Sequence, residues 1–366
     1  MSTQAVEKKK ISWWRTNFGE QEALMLTESL KVGRISQGPV AAEFETKMAE
    51  ALKVPYIVAT SSGSTAILMA LLVAGIKPGD EVIVPNRTWI ATAHAPALLG
   101  AKVRVVDVLA DKPVMDVAKL EGMINEKTKA ILPVSLNGRA VDMKQVWSTA
   151  EKHGIAVIED AAQGLFSKYQ GNYIGTDSLM GCFSLSIAKL LPAGQGGFIA
   201  TRDKKIYESL KRIRIHGVDD VVECKYNQLG FNFRFTDLHA CLAVVQLESI
   251  QERIRLIKEI HTKYEEGLKD LKCAKLIPVD WEGGQIPIYV EILCENRKEL
   301  MEYLALEGIQ TRPIYPNLES AEYLEIAGDF PHARNFAEKG LVLPCGPGQE
   351  LENIEHVINV LNAYKS

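Results

Sequence analysis

The sequence has little of what marks a membrane, nucleic-acid or zinc-binding protein. None of its apolar runs reaches the length of a membrane span, and the polar, lysine-rich start at 1–10 lacks the apolar stretch of a signal peptide. Lysine and arginine are spread along the chain, whose net charge is −4, so we expect no nucleic-acid partner. The six cysteines show no C-x-x-C spacing, which argues against a metal site and favours reduced thiols in the cytoplasm.

A dinucleotide-binding fingerprint is also missing, because no predicted strand opens into G-x-G-x-x-G. Instead, short apolar strands alternate with helices over much of the chain. Hydrophobic residues make up 47% of the sequence, which is enough for a large core and a second, smaller one. The alternation predicts an α/β fold in which a mostly parallel sheet lies between helices.

The sequence predicts three parts. Residues 1–12 are expected to be a flexible tail, 13–245 a large domain and 246–366 a smaller C-terminal α+β domain. Thr236 is expected to cap one long helix that leads out of the large domain, since apolar residues between Leu247 and Leu271 recur about every 3.5 residues.

The stretch 181–198 carries the strongest chemical signal. It begins as an apolar, alternating run, which predicts a buried strand, and it then places Lys189 between Ser184 and a glycine-rich turn. A poorly solvated lysine has a lowered pKa, and its free amine can form a Schiff base with an aldehyde. The alternative is a lysine that extends from the strand end to solvent, and this stretch alone leaves both interpretations open.

A second apolar strand runs into the acidic pair Glu159 and Asp160. An acid at the carboxyl end of a parallel strand lies where α/β sheets place their ligands. Pyridoxal phosphate needs such a carboxylate at its ring nitrogen and a lysine at its aldehyde. We therefore assign Asp160 a functional role against the alternative of a helix cap, and we treat Glu159 as a solvated neighbour.

Two further segments fit a phosphorylated ring. The strand-to-helix turn at 61–66 combines small hydroxyl residues with Gly63, which favours an anion site, although an ordinary helix cap has the same composition. Trp89 follows another predicted strand end, where its indole could stack on a pyridine ring or simply fill the core.

Together these motifs identify a resemblance over about residues 20–364. The chain resembles the DegT/DnrJ/StrS sugar aminotransferases, which are fold-type I enzymes that use pyridoxal 5'-phosphate. Each motif is weak alone, and their order along the chain makes the set specific. The motifs are ISQGP (35–39), SSGSTA (61–66), GDEVIVP (79–85), TKAI (128–131), EDAAQ (159–163), FS with the lysine (183–189) and GFNFR (230–234).

The resemblance implies a role for each matching position. Lys189 would bind the cofactor aldehyde and later shuttle a proton, and Asp160 would pair with the pyridine nitrogen. Gln163 would lie by the ring hydroxyl, and Trp89 would stack on the ring. The phosphate would be held by Gly63, Ser64 and Ser184, joined by Asn232 from the other subunit of a homodimer with shared active sites.

The sequence departs from the family at three places near the expected site. Relatives often have HLYG where this chain has SLNG at 135–138, and GEGG where it has GQGG at 194–197. Leu185 replaces a common aromatic residue. These changes leave the cofactor chemistry in place and bear on the carbonyl substrate.

The substrate pocket is expected to offer hydrogen-bond donors to two small molecules in turn. We name Asn137, Arg234 and Tyr315 as substrate-binding candidates, with Arg234 first because a guanidinium binds an anion bidentately. For Asn137 the alternative is a residue that shapes a turn, and for Tyr315 it is one that packs a loop.

The resemblance implies an aminotransferase that moves an amino group from an amino acid to a ketone of a sugar nucleotide, in aminosugar and surface polysaccharide biosynthesis. L-Glutamate is the first candidate for the amino donor. The alternative acceptor is a small phosphorylated ketone or sugar phosphate, which the altered 135–138 segment motivates. A pyridoxamine-dependent sugar dehydratase is a further alternative, against which Lys189 speaks because those relatives carry histidine there.

Overall fold

The computed structural model describes residues 9–219, 222, 225–226 and 228–364. Its helices are α1 Glu20–Lys31, α2 Pro39–Leu52, α3 Gly63–Val73, α4 Ala91–Leu98, α5 Met143–His153, α6 Lys204–Arg214, α7 Asp237–Glu248, α8 Ile250–Gly267, α9 Arg297–Leu306, α10 Pro331–Lys339 and α11 Leu351–Ala363. Its strands are β1 Tyr56–Thr60, β2 Glu81–Pro85, β3 Lys102–Val106, β4 Thr128–Ile131, β5 Ala156–Asp160, β6 Lys168–Tyr169, β7 Asn172–Tyr173, β8 Met180–Ser184, β9 Gly197–Thr201, β10 Ala274–Leu276, β11 Val290–Cys294, β12 Arg312–Pro313 and β13 Gly340–Leu343.

The central sheet has the strand order β1-β9-β8-β5-β4-β2-β3. β2 pairs in parallel with β3 and β4, and the parallel pairing continues through β5 to β8. β9 is antiparallel to both of its neighbours, so β1 and β8 point the same way as the rest. The strands are apolar on both faces because helices cover both, which confirms the predicted α/β class.

The strand that leads to the lysine is fixed by aromatic packing. Phe183 of β8 lies opposite Phe198 of β9 in the register of the two strands, and their rings stack with centroids 4.5 Å apart. Both side chains are 0% exposed, and burial of one such side chain stabilises the fold by about 1.5–3 kcal/mol. This packing fixes the position of β8 and therefore of the turn that follows it.

A second, antiparallel sheet lies in the C-terminal part of the chain, with the order β10-β11-β13-β12. The helices α9, α10 and α11 accompany it, as the predicted α+β composition requires. The prediction of a single long helix before this sheet is wrong, because the structure has two helices there. Thr236 does cap α7 by accepting a hydrogen bond from His239 N, but the chain breaks at Ser249 and continues as α8.

The N-terminal segment is partly ordered against expectation. Of the predicted flexible tail, residues 1–8 lie outside the described residues. Ile11, however, is 1% exposed, and its N–H donates to the Gly308 carbonyl at 2.9 Å. It pairs with Ile309, and Trp14 pairs with Cys345, so residues 11–14 lie along the small sheet. The flexible tail therefore cannot extend to residue 12, because apolar side chains bury this segment.

Across the described ranges, with their gaps at 220–221, 223–224 and 227, no helix is both long and apolar enough to cross a lipid bilayer.

Candidate active site

The carboxyl ends of the parallel strands meet at one edge of the central sheet, where a cavity of about 410 Å³ opens. β1 leads there into α3, β5 ends at Asp160, and β8 ends at Ser184. The three segments that the sequence selected therefore meet in space. The predicted residues in the cavity wall are Gly63, Ser64, Trp89, Asp160, Gln163, Ser184, Lys189 and Tyr315.

Lys189 lies in the turn after β8 and is partly buried in the cavity wall. Loss of hydration lowers the pKa of its ammonium group to about 8, although the negative charge of Asp160 raises it. The free amine is therefore accessible close to neutral pH, as attack on an aldehyde requires. This setting favours the functional interpretation of Lys189 over a lysine that merely reaches solvent.

Two aromatic side chains hold the backbone just before this lysine. Trp14 Nε1 donates to the Ile187 carbonyl at 3.2 Å, and Tyr289 Oη donates to the Ala188 carbonyl at 2.9 Å. Both donors come from parts of the chain far from 187–188 in sequence. The position of Lys189 therefore depends on the ordered N-terminal segment and on the C-terminal part of the chain, as well as on the central sheet.

Asp160 is buried, and both of its carboxylate oxygens accept hydrogen bonds. Thr92 Oγ1 donates to Oδ2 at 2.6 Å, and the Ala162 N–H donates to Oδ1 at 3.1 Å. Burial raises the pKa of Asp160, while these two hydrogen bonds and the charge of Lys189 oppose that shift. A carboxylate held in this way gains from a cationic group placed against it, as a protonated ring nitrogen would be.

The N-terminus of α3 and the end of β8 form a cradle at the cavity that would suit an anion. Ser62 caps the helix by accepting from Thr65 N at 3.1 Å. The N–H groups of Gly63 and Ser64, in the first turn, have no carbonyl partner within the helix itself. A Cβ at Gly63 would lie 2.8 Å from the Cβ of Ser184, so only glycine permits this approach. The helix cap, one of the two alternatives from the sequence, is therefore present, and it is compatible with an anion site at the same turn.

Trp89 and Tyr315 form an aromatic corner of the cavity. Their ring centroids are 5.2 Å apart with planes at 70°, and Trp89 keeps 49% of its surface exposed. Trp89 is therefore no core residue. Gln163 Nε2 donates to Tyr315 Oη at 3.4 Å, and Gln163 Oε1 accepts from the Asn137 N–H at 2.9 Å.

Three predicted site residues lie away from the cavity wall. Asn137 is 0% exposed, and its amide bonds to the backbone of Ile288 and Tyr289, at 2.7–2.9 Å. Its φ of 52° also suits the turn, so we withdraw it as a substrate-binding residue. Asn232 is exposed on this chain, and Arg234 donates to its Oδ1 at 3.0 Å.

Sequence reasoning missed several residues in or beside the cavity. Thr92 lies in the first turn of α4, three residues after Trp89, and that spacing could have indicated it. Trp13, Tyr289 and Arg312 line the cavity from segments remote in sequence, and no local pattern marks them.

These residues fit pyridoxal phosphate. An amine with a lowered pKa, a buried carboxylate and a cradle of free N–H groups line one cavity, and they match the aldehyde, ring nitrogen and phosphate of that molecule. Trp89 offers an indole at the same wall.

Comparison with known proteins agrees with the geometry. Residues 16–362 match the description "DegT/DnrJ/EryC1/StrS aminotransferase family". GDP-perosamine synthase of Escherichia coli O157:H7 is 33% identical over 338 residues, which cover 90% of this chain and 92% of that protein. UDP-2-acetamido-2-deoxy-3-oxo-D-glucuronate aminotransferase of Pseudomonas aeruginosa is 33% identical over 290 residues, covering 78% of this chain and 79% of that protein.

Among solved structures, a Streptococcus pneumoniae protein described as a sugar aminotransferase, in its PLP form, superposes with a TM-score of 0.91. It is 25% identical, and the match covers 97% of this chain and 98% of that one. The chain therefore belongs to the DegT/DnrJ/EryC1/StrS aminotransferase family, and it is a pyridoxal phosphate-dependent aminotransferase of fold type I.

Proposed function

We propose that this enzyme transfers an amino group from an amino acid to the keto group of a sugar nucleotide in aminosugar biosynthesis. L-Glutamate is the first candidate for the amino donor. The reaction type is supported by one observation above all: Lys189, Asp160 and the α3 cradle line the same cavity. The acceptor class follows from the relatives, whose names specify GDP-linked and UDP-linked sugars.

When bound, pyridoxal phosphate supplies an aldehyde and an electron-accepting ring. Lys189 would hold the aldehyde covalently, and its Nζ would move the proton of the substrate carbon, a task suited to a pKa near the working pH. Asp160 would keep the ring nitrogen protonated, and Thr92 would keep Asp160 ionised and oriented. Gly63, Ser64 and Ser184 would hold the phosphate.

The alternative acceptor is a small phosphorylated ketone or sugar phosphate. The SLNG segment at 135–138 was the reason to consider this acceptor. That reason is weaker because the Asn137 side chain bonds to protein backbone and does not face the substrate cavity. A dehydratase is disfavoured by Lys189, which occupies the position that carries histidine in those relatives. Ser186, Gln195 and Tyr315 add polar groups to the cavity wall, which suits a hydroxylated acceptor.

We also propose a homodimer in which each subunit contributes to its partner's site. Asn232 and Arg234 lie outside this chain's own cavity, although the family resemblance places Asn232 at the cofactor phosphate. Large apolar side chains flank them on the surface. Phe231 is 65% exposed, Leu229 is 75% exposed, and Ile35 is 51% exposed.

The two segments that carry these exposed apolar side chains are joined by a backbone hydrogen bond. Asp237 N donates to the Ser36 carbonyl at 2.7 Å, which joins the 35–38 turn to the segment that carries Asn232. A patch of this kind is typical of a protein interface. A second copy of the chain is the occupant that would bring Asn232 and Arg234 to a cavity. The free, mostly buried cysteines fit the cytoplasmic location that we propose.

The acceptor is tested by a spectral screen. The pyridoxamine form of the enzyme is mixed with candidate ketosugars linked to GDP or UDP, and with phosphorylated trioses and hexoses. Transamination restores the absorption of the aldehyde form. Restoration by a nucleotide-linked ketosugar is the expected result, whereas restoration by a sugar phosphate alone would move the assignment to the alternative acceptor.

A further inference from the structure

Arg312 brings a second positive charge to the cavity that holds Lys189. We propose that Arg312 binds a carboxylate of the amino donor and thereby selects amino acids for the first half of the reaction. The proposal rests on the aminotransferase function above, but it does not depend on which ketone is the acceptor.

The Arg312 guanidinium is held between two aromatic rings. Its Cζ lies 4.9 Å from the ring centroid of Trp13 and 5.8 Å from that of Tyr315. Such cation–π contacts restrain the side chain without consuming its N–H donors. Among the residues that the structure describes, Arg312 has neither an ion pair nor a hydrogen-bond acceptor, so its planar fork of donors stays available.

The charge balance of the cavity points to an anion. The charged groups in its described wall are Asp160, Lys189 and Arg312. Asp160 and Lys189 are assigned to the cofactor, which leaves the Arg312 charge without a partner. Its charge acts on the reaction centre, since it is one of the causes that lower the pKa of Lys189.

The donor suits this position better than the acceptor does. The α-carboxylate of an amino acid is bonded to the carbon that carries the reacting amine, so it must lie close to Lys189. The phosphates of a sugar nucleotide are separated from the keto carbon by atoms of the sugar. The planar guanidinium group of an arginine can also donate two parallel hydrogen bonds to the two oxygens of a carboxylate, which a lysine cannot reproduce.

The ordered N-terminal segment fixes this arrangement. Gln310 N donates to the Ile11 carbonyl at 2.9 Å, and Trp13 N donates to Gln310 Oε1 at 3.4 Å. Residues 11–13 and 309–312 therefore run side by side, with the Trp13 ring against the Arg312 guanidinium. The carboxylate site thus depends on Ile11, which lies in the part of the chain predicted to be a flexible tail.

The test separates the two half-reactions of the full-length, cofactor-loaded enzyme. Conversion of the aldehyde form by L-glutamate reports the donor step, and conversion of the amine form by a ketosugar reports the acceptor step. We expect Arg312→Gln to raise the apparent Kd for glutamate on the order of 10- to 100-fold. The acceptor step should change less than about threefold, because a ketosugar carries no carboxylate next to its keto carbon.

Matched variants make the result specific. Arg312→Lys keeps the charge and the chain length but loses the fork, so it should recover only part of the affinity for glutamate. Arg255→Gln removes an exposed arginine of α8 and should leave both steps unchanged. Glutamine, tested as a second amino donor, shows which carboxylate of glutamate Arg312 binds, because glutamine keeps the α-carboxylate and has an amide in place of the distal one. An equal loss with glutamate and glutamine indicates the α-carboxylate, and a loss with glutamate alone indicates the distal one.

Two outcomes would overturn the proposal. One is an unchanged donor step in a folded Arg312→Gln enzyme that keeps its cofactor absorption, and the other is an equal loss in both steps. If no ketosugar reacts even with the unmodified enzyme, the acceptor assignment fails. The donor step with glutamate then still decides the role of Arg312.

Discussion

Thr92 and Asp160 are joined by a hydrogen bond of 2.6 Å from Oγ1 to Oδ2, across 68 residues of sequence. Thr88 Oγ1 lies 2.7 Å from Thr92 Oγ1, so the two threonines form a short chain that ends at the carboxylate. A hydroxyl donor favours the ionised form of a buried acid, and here it opposes the desolvation that raises the pKa of Asp160. Thr92 therefore helps Asp160 to stay negative inside the protein.

We expect Thr92→Val to reduce kcat about tenfold. A hydrogen bond to a charged group contributes about 1.5–3 kcal/mol, part of which is lost in the transition state. The variant should also weaken protonation of the ring nitrogen, visible as a shift in the pH dependence of the cofactor spectrum. Thr92→Ser keeps the hydroxyl and is expected to stay near the unmodified rate. A normal kcat in Thr92→Val would show that Asp160 needs no help from this donor.

The lowered pKa of Lys189 predicts how the apoenzyme takes up its cofactor. Only the free amine attacks an aldehyde, and its pKa is about 8. The rate of covalent uptake at limiting pyridoxal phosphate should therefore rise about tenfold per pH unit below that value and level off above it. Stopped-flow absorbance over pH 6–10 measures this rate, and an inflection near the ordinary lysine pKa would contradict it.

Two neighbouring charges should move this inflection in opposite directions. The negative charge of Asp160 raises the pKa of Lys189, so Asp160→Asn should shift the inflection to lower pH. The positive charge of Arg312 lowers it, so Arg312→Gln should shift the inflection upward. Lys189→Ala serves as the blank, since it should bind the cofactor without a covalent bond and show no transamination.

The two aromatic donors before Lys189 should act together. Trp14→Phe and Tyr289→Phe each remove one hydrogen bond to adjacent carbonyl groups, at a cost of about 1 kcal/mol in the free energy of unfolding. We expect kcat to fall several-fold in each variant, and the double variant to lose less than the sum, because both donors hold one turn.

Tyr303→Phe is the matched control for these variants. It removes a similar hydrogen bond, from Tyr303 Oη to the Val360 carbonyl, away from the cavity. It should lower stability slightly and leave kcat unchanged. Equal kcat losses in all three single variants would mean that the effect is general destabilisation and not positioning of Lys189.

The sequence predicted what local pattern determines. Buried strands such as β5 and β8 are short apolar runs, and the acid and the lysine follow them directly, so their place at one sheet edge could be inferred. The cradle at Gly63 was predictable for the same reason, because turn, cap and glycine are contiguous.

Contacts between remote segments were not predictable. Asn137 looks like a free polar side chain until its partners at Ile288 and Tyr289 are known, 151 and 152 residues further along the chain. Arg312 is only a charged residue beside a proline until Trp13 is placed against it. Such contacts depend on how segments far apart in the sequence pack together, which no single window of sequence encodes.

The proposed sharing of sites between subunits can be tested by mixing two inactive proteins. Lys189→Ala lacks the reacting amine, and Asn232→Asp should be inactive because its carboxylate repels the cofactor phosphate. In a mixed dimer, one site would combine the intact Lys189 of one chain with the intact Asn232 of the other. The second site would collect both defects, so half of the sites in each mixed dimer should work.

Random exchange of equal amounts places about half of the chains in mixed dimers, so about a quarter of the unmodified activity should return. A tag on one chain measures exchange independently, by co-purification of the other. Activity that rises in step with exchange supports a site built from two chains. If exchange is complete and activity stays absent, Asn232 acts on the cavity of its own chain, and its exposed position would then require a movement of 230–236 toward Lys189.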